Sequence, residues 1–208
     1  YFETEQFRTD AKCTDDYIVL GGWELKSKRW FSLRLTRKEV PYLFKPCGGG
    51  SQWASTSAEL LASLSALHAF GWLTVASTRR TMALSLCGGT DNLANDSLST
   101  KRSTTKWPLM LINMQLSAAL SKARLNLRLR WRPREENVEA DQLTNEIFEG
   151  FSPSLRVPLS FEDVDVRLVE ELWETKLQFD FDAARQESKD SKKVADGSKK
   201  RKFEKSEW

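Results

Sequence analysis

The segment Leu125-Asn126-Leu127-Arg128-Leu129-Arg130-Trp131-Arg132 alternates apolar and polar side chains without interruption, and it constrains the fold more than any other stretch. A period of two marks an extended strand with one buried face, because successive Cβ atoms point to opposite sides of a sheet. Leu125, Leu127, Leu129 and Trp131 are expected to face a core, and Asn126, Arg128, Arg130 and Arg132 to face away from it. A lone strand leaves its backbone groups unpaired, so the chain must supply further strands.

Three of them precede it as a meander. Gln6 to Asp10, Tyr17 to Leu25 and Arg29 to Thr36 read as strands, the second broken at Gly21-Gly22. In the third, Phe31, Leu33 and Leu35 alternate with Trp30, Ser32, Arg34 and Thr36. The run Met82 to Leu86 reads as a fourth strand, closed by Thr90-Asp91-Asn92. Pro41 to Ser51, with its prolines and Gly48-Gly49-Gly50, reads as a loop.

Helical periods fill the intervals. Thr56-x-x-Glu59 has the form of a capping box and precedes Leu60, Leu61, Leu64, Leu67 and Phe70 at helical spacing. Asn92 to Leu98 reads as a short helix, and Trp107 to Ala123 as a longer one with Leu109, Ile112, Leu116 and Leu120 on one stripe. Val138 to Phe148 reads as another, with Asn137 as its cap. The order is that of an α/β domain over residues 1–150. Residues 151–187 read as an extension with an acidic amphipathic helix from about Phe161 to Leu177, opened by Ser160-x-x-Asp163. Residues 188–208 are too poor in apolar groups to offset the entropy of ordering and are expected to form a disordered tail. Lys199-Lys200-Arg201-Lys202 within it fits a nuclear-import or nucleic-acid patch.

With 208 residues the chain is long enough for one substantial core. No apolar run approaches the ~18 residues of a membrane span, and no leader of the secretory kind opens it, so no membrane association is expected. Cys13, Cys47 and Cys87 show no Cys-x-x-Cys spacing, which indicates neither a disulfide framework nor a thiolate zinc site. An intracellular, reducing location, cytoplasm or nucleus, suits them. The net charge of +3 conceals segregation: residues 101–134 hold Lys101, Arg102, Lys106, Lys122, Arg124, Arg128, Arg130, Arg132 and Arg134 and no acid, whereas residues 161–182 hold eight acids. Such a basic block points to a polyanion. Lys101, Lys106, Arg128, Arg130 and Arg132 are candidate phosphate contacts, and the arginine face reads equally as a solvated strand edge.

Four acids sit on or beside successive elements: Asp10 on the first strand, Glu59 on the first long helix, Asp91 after the fourth strand, Asp141 in the last core helix. Each has a local explanation, as capping partner (Glu59), turn or cap residue (Asp91), strand-end turn (Asp10) or helix-start acid (Asp141). Their order suggests a shared metal site.

Ala58-Glu59-Leu60-Leu61-Ala62, Thr90-Asp91-Asn92 and Asn137-x-x-Ala140-Asp141-x-Leu143-Thr144, with the element order, resemble the ribonuclease H domains of retrotransposon polyproteins over roughly residues 5–150. The resemblance implies a ribonuclease H-like fold, a mixed five-stranded sheet with flanking helices. It also implies hydrolysis of the RNA strand of an RNA–DNA hybrid with two divalent ions, Mg2+ or Mn2+. Asp10 would bridge both ions, Glu59 and Asp91 would hold one and Asp141 the other, and Asn92 would donate to the minor groove. A reverse transcriptase domain would precede this one in the polyprotein. Integrases of this fold order their acids Asp, Asp, Glu, and proofreading exonucleases open with Asp-x-Glu; Asp10-Ala11-Lys12 and the second-placed Glu59 match neither. Many family members carry a His before the last core helix, and Trp131-Arg132-Pro133-Arg134-Glu135-Glu136 has none. Two functions therefore stay open, a hydrolase in which Glu135 or Glu136 serves the proton shuttle, and a decayed or domesticated domain that binds nucleic acid without cutting.

Overall fold

The computed structural model describes residues 4–45, 48–76 and 83–176. Its strands are β1 (Phe7–Cys13), β2 (Tyr17–Glu24), β3 (Trp30–Thr36), β4 (Leu84–Thr90) and β5 (Leu125–Trp131). They form one sheet in the order β3-β2-β1-β4-β5. β1, β2 and β3 pair antiparallel as the expected meander. β4 pairs parallel with both β1 and β5, and parallel neighbours require helical crossovers. Those helices, with one on the other face, are α1 (Ser55–Ala69), α2 (Trp72–Ala76), α3 (Leu93–Lys101), α4 (Leu109–Ala123) and α5 (Val138–Thr144); α6 (Arg167–Lys176) follows. The mixed five-stranded sheet with flanking helices is the architecture expected from the sequence.

The pleat of β1 shows which face each helix covers. Thr9 Oγ1 lies 3.1 Å from Ser63 Oγ of α1, whereas the next residue, Asp10, accepts a hydrogen bond from Thr144 of α5. Neighbouring strand residues point to opposite faces, so α1 and α5 sandwich the sheet. α1 is buried on all sides from Ser57 to Leu67, because it packs on β1 and β2 while α4 covers it. Full burial of Leu60, Leu61, Leu64 and Leu67 contributes roughly 1.5–3 kcal/mol for each side chain.

Several local expectations are corrected by packing. β2 runs through Gly21-Gly22 without a break. A Cβ on Gly21 would lie 2.9 Å from the Ala140 carbonyl oxygen and 3.0 Å from Leu143 Cβ, so the bare backbone is what lets α5 settle on β2. α5 stops at Thr144 instead of Phe148, with Glu146 in the left-handed region at φ 58°. Phe148 then turns to stack on Trp30 at 5.3 Å between ring centroids, in a small second core of Trp30, Leu143 and Phe151. The capping box at Thr56 is absent: α1 starts at Ser55 and no side chain caps it. Asn137 does not cap α5 either; its amide donates to the Thr9 carbonyl at 3.1 Å and ties the preceding loop to β1.

At the C-terminal side, the Ser160/Asp163 box does form, on a 3-10 turn over Phe161–Asp163. Val164 is extended, so the expected continuous helix is split and α6 begins only at Arg167. The chain divides into two units, Tyr1–Val169 and Glu170–Trp208. In the first, Phe151, Val164, Val166 and Val169 are buried. The Lys-rich tail over 188–208, including Lys199-Lys200-Arg201-Lys202, lies outside the described residues. Among the described residues, no helix is long and apolar enough to cross a membrane.

Candidate metal centre

Parallel pairing brings two of the acids together. Arg8 is in register with Gly89, and two residues further along each chain stand Asp10 and Asp91. β4 ends at Thr90, so Asp91 turns off the sheet beside a carboxylate still held within β1. The missing cap bond of α1 leaves the third acid, Glu59, free to face them. Its Oε2 accepts from Thr90 Oγ1 at 3.1 Å, and its Oε1 from Asn92 Nδ2 at 3.1 Å. One oxygen from each of Asp10, Glu59 and Asp91 lies within 4.8 Å of the others.

Crowding three carboxylates is electrostatically unfavourable, and burial adds to the penalty for two of them. Burial raises the Asp10 carboxyl above its ordinary range, with the Asp91 and Asp141 charges acting in the same direction and the Thr144 hydrogen bond opposing them. Burial, together with the charges of Asp91 and Asp10, pushes Glu59 up to about 8, against the hydrogen bonds from Asn92 and Thr90. A divalent cation would relieve both penalties at once. Converging hard oxygen donors are the ligand set that Mg2+ and Mn2+ prefer, so these residues fit such an ion.

Asp141 stands outside that group of three. Its Oδ1 accepts from Arg134 Nε at 3.0 Å and also from Nη2, and its Oδ2 accepts from Asn145 Nδ2 at 3.0 Å. It remains near enough for its charge to raise the Asp10 carboxyl.

The basic residues separate into three groups. Arg132 is held within the protein, by Glu5 at 2.6 Å and Glu136 at 3.0 Å. Arg128 is exposed and Arg130 half-buried, and neither has a carboxylate partner among the described residues. α3 lies along β5, with Ser99 Oγ donating to the Leu129 carbonyl at 3.3 Å, so Lys101 ends up about 13 Å along the helix from its Asn92 cap. Lys106 is exposed beyond it. Asn92 spends its amide protons inside the protein, on Glu59 and on Thr56 Oγ1 at 3.3 Å, while its Oδ1 caps α3 through Ala94 and Asn95. That network holds Glu59 and leaves no free donor for a groove.

Three contributors escape sequence reasoning. Thr144 donates to Asp10 Oδ2 at 2.6 Å; its spacing of three from Asp141 on one helix was the available signal. Trp131, expected on the buried face with the leucines, is 46% exposed. It is the last residue of β5, and its indole N–H donates to the Asp91 carbonyl at 3.1 Å. Arg134 carries no sequence mark that separates it from a phosphate contact.

No protein-family model matches the chain, and no curated protein is matched by it. Solved structures are. LC11-RNase H1 in complex with an RNA/DNA hybrid is similar at 18% identity over 70% of this chain and 98% of that one, with a TM-score of 0.50. LC11-RNase H1 isolated from compost by a metagenomic approach gives 17% identity, 69% and 94% coverage, and a TM-score of 0.50. RNase H1 from the halophilic archaeon Halobacterium salinarum NRC-1 gives 15%, 69% and 96%, with a TM-score of 0.48. At such identities the two LC11 comparisons speak to fold alone. Together with the strand order β3-β2-β1-β4-β5, they establish that this chain has a ribonuclease H fold.

Proposed function

We propose that the protein is a metal-dependent endonuclease that hydrolyses the RNA strand of RNA–DNA hybrids. The observation that carries this reading is the convergence of Asp10, Glu59 and Asp91 on a ribonuclease H fold. Asp10, Glu59 and Asp91 would hold one divalent ion, and Asp10 with Asp141 a second. Two such ions, Mg2+ or Mn2+, supply a deprotonated water and stabilise the leaving oxygen of the phosphodiester.

The chain's own residues orient the ligands. Thr144 fixes one oxygen of Asp10, Thr90 and Asn92 fix both oxygens of Glu59, and the Trp131 indole pins the turn that carries Asp91. Arg128 and Arg130, without acidic partners among the described residues, supply phosphate contacts that carry no sequence information. The reading extends to a retroelement polyprotein with a preceding reverse transcriptase domain, supported by the motif segments around Glu59, Asp91 and Asp141.

A labelled hybrid incubated with Mg2+ or Mn2+ tests the activity. The RNA strand should be nicked, and Asp10→Asn or Asp91→Asn should abolish nicking; cutting that persists in both variants refutes the assignment. A second reading, nucleic-acid binding without cleavage, is favoured by the engagement of Asp141 with Arg134 and by the loop that lacks His. Retention of the hybrid without nicking by the unmodified protein would select it.

A further inference from the structure

The loop between β5 and α5 places a cation on the acid that the other three do not include. Arg134 donates to Asp141 through both Nε and Nη2, and Asn145 takes the remaining oxygen at 3.0 Å. Asn145 is itself anchored, its Oδ1 accepting from Lys12 Nζ at 3.0 Å. Both oxygens of Asp141 are therefore occupied while Asp10, Glu59 and Asp91 converge without it. The Arg134 side chain is 70% exposed and that of Asp141 30%, so the guanidinium covers the carboxylate from the solvent side, where it can swing away.

We propose that Arg134 is a built-in counter-ion for Asp141 that competes with the second divalent cation. The site at Asp10, Glu59 and Asp91 then fills at lower metal concentration, and Asp141 joins only after Arg134 is displaced. This rests on the metal-centre reading above. A guanidinium neutralises a carboxylate but carries no water to activate, so the Arg134-bound form is a resting form. Ion pairs this exposed are weak in water, which makes the clamp reversible: it separates the two loading steps without blocking the second. Any ion shared between Asp10 and Asp141 must break the two charge-assisted hydrogen bonds from Arg134 and displace its guanidinium.

Manganese titration of the full chain without nucleic acid, with free ion counted by electron paramagnetic resonance, tests the proposal independently of activity. The unmodified protein should bind in two separated steps. Arg134→Ala, and Arg134→Gln as a second variant that keeps the side-chain length, should tighten the second step about fivefold and leave the first unchanged. Asp141→Asn should remove the second step in the unmodified protein and in both Arg134 variants. A second step that does not move in either Arg134 variant overturns the proposal, as does a single step taking both ions in the unmodified protein. Absence of any bound ion in all the proteins would instead overturn the metal-centre reading, and the proposal with it.

Discussion

Replacing Glu59 with glutamine should stabilise the metal-free protein at alkaline pH while removing its hold on a divalent ion. Glu59 is buried, and its carboxyl is pushed from 4.5 to about 8, by burial first and then by Asp91 and Asp10. A carboxyl raised in the folded state keeps a proton there that the unfolded chain has already released. Stability therefore falls as pH rises from about 4.5 to about 8, and the loss is complete above that window. At ~1.36 kcal/mol for each pH unit, the full shift sets an upper limit of about 5 kcal/mol; sharing of the titration with the buried Asp10, whose carboxyl is also raised, brings the expected effect to about 2–3 kcal/mol. Glutamine keeps the shape, its Oε1 still accepting from Asn92 and its NH2 donating to a turned Thr90 hydroxyl. Urea unfolding in a chelator should show the two proteins nearly equal at pH 5 and Glu59→Gln ahead by that amount at pH 9. Adding Mg2+ should reverse the order, since an ion that binds only the folded state stabilises the protein that can hold it. A difference that stays flat from pH 5 to pH 9 would refute the burial argument, and equal stabilisation of both proteins by Mg2+ would refute the metal centre.

Arg128→Ala combined with Arg130→Ala should weaken hybrid binding and lower the salt slope by about 1–2, read by fluorescence anisotropy at rising salt concentration; an unchanged slope returns this face of β5 to plain solvated edge. Arg132→Ala should act on stability more than on the slope, because Glu5 and Glu136 already hold that side chain. Gly21→Ala should lower stability by about 1–3 kcal/mol in thermal unfolding, because the added methyl meets the Ala140 carbonyl; a cost near zero would show that the glycine does not set the approach of α5.

Much of the fold was legible because it is written in short periods. The alternation over residues 125–132, the meander before it and the apolar helical spacing after Thr56 each involve neighbours a few residues apart, and each became the expected kind of element. Where the local signal had two meanings, it misled. Thr56-x-x-Glu59 reads the same whether Glu59 bends back to its own helix or outward to Asn92, and only the packing of α1 at the end of β4 selects the second. Gly21-Gly22 reads as a break, yet it is a contact surface for a helix some 120 residues later.

The sequence by itself determined which residues could form a sheet, the helices that cross it and the order in which four acids are dealt to those elements, because backbone preference and burial pattern are local. Tertiary structure alone decided which acids meet. The in-register parallel pairing of Arg8 with Gly89 carries Asp10 and Asp91 to the same end of the sheet, and the close approach at Gly21 brings Thr144 to Asp10 across 134 residues. Strand register and helix-to-sheet distance depend on partners far apart in the chain, and no local period encodes them.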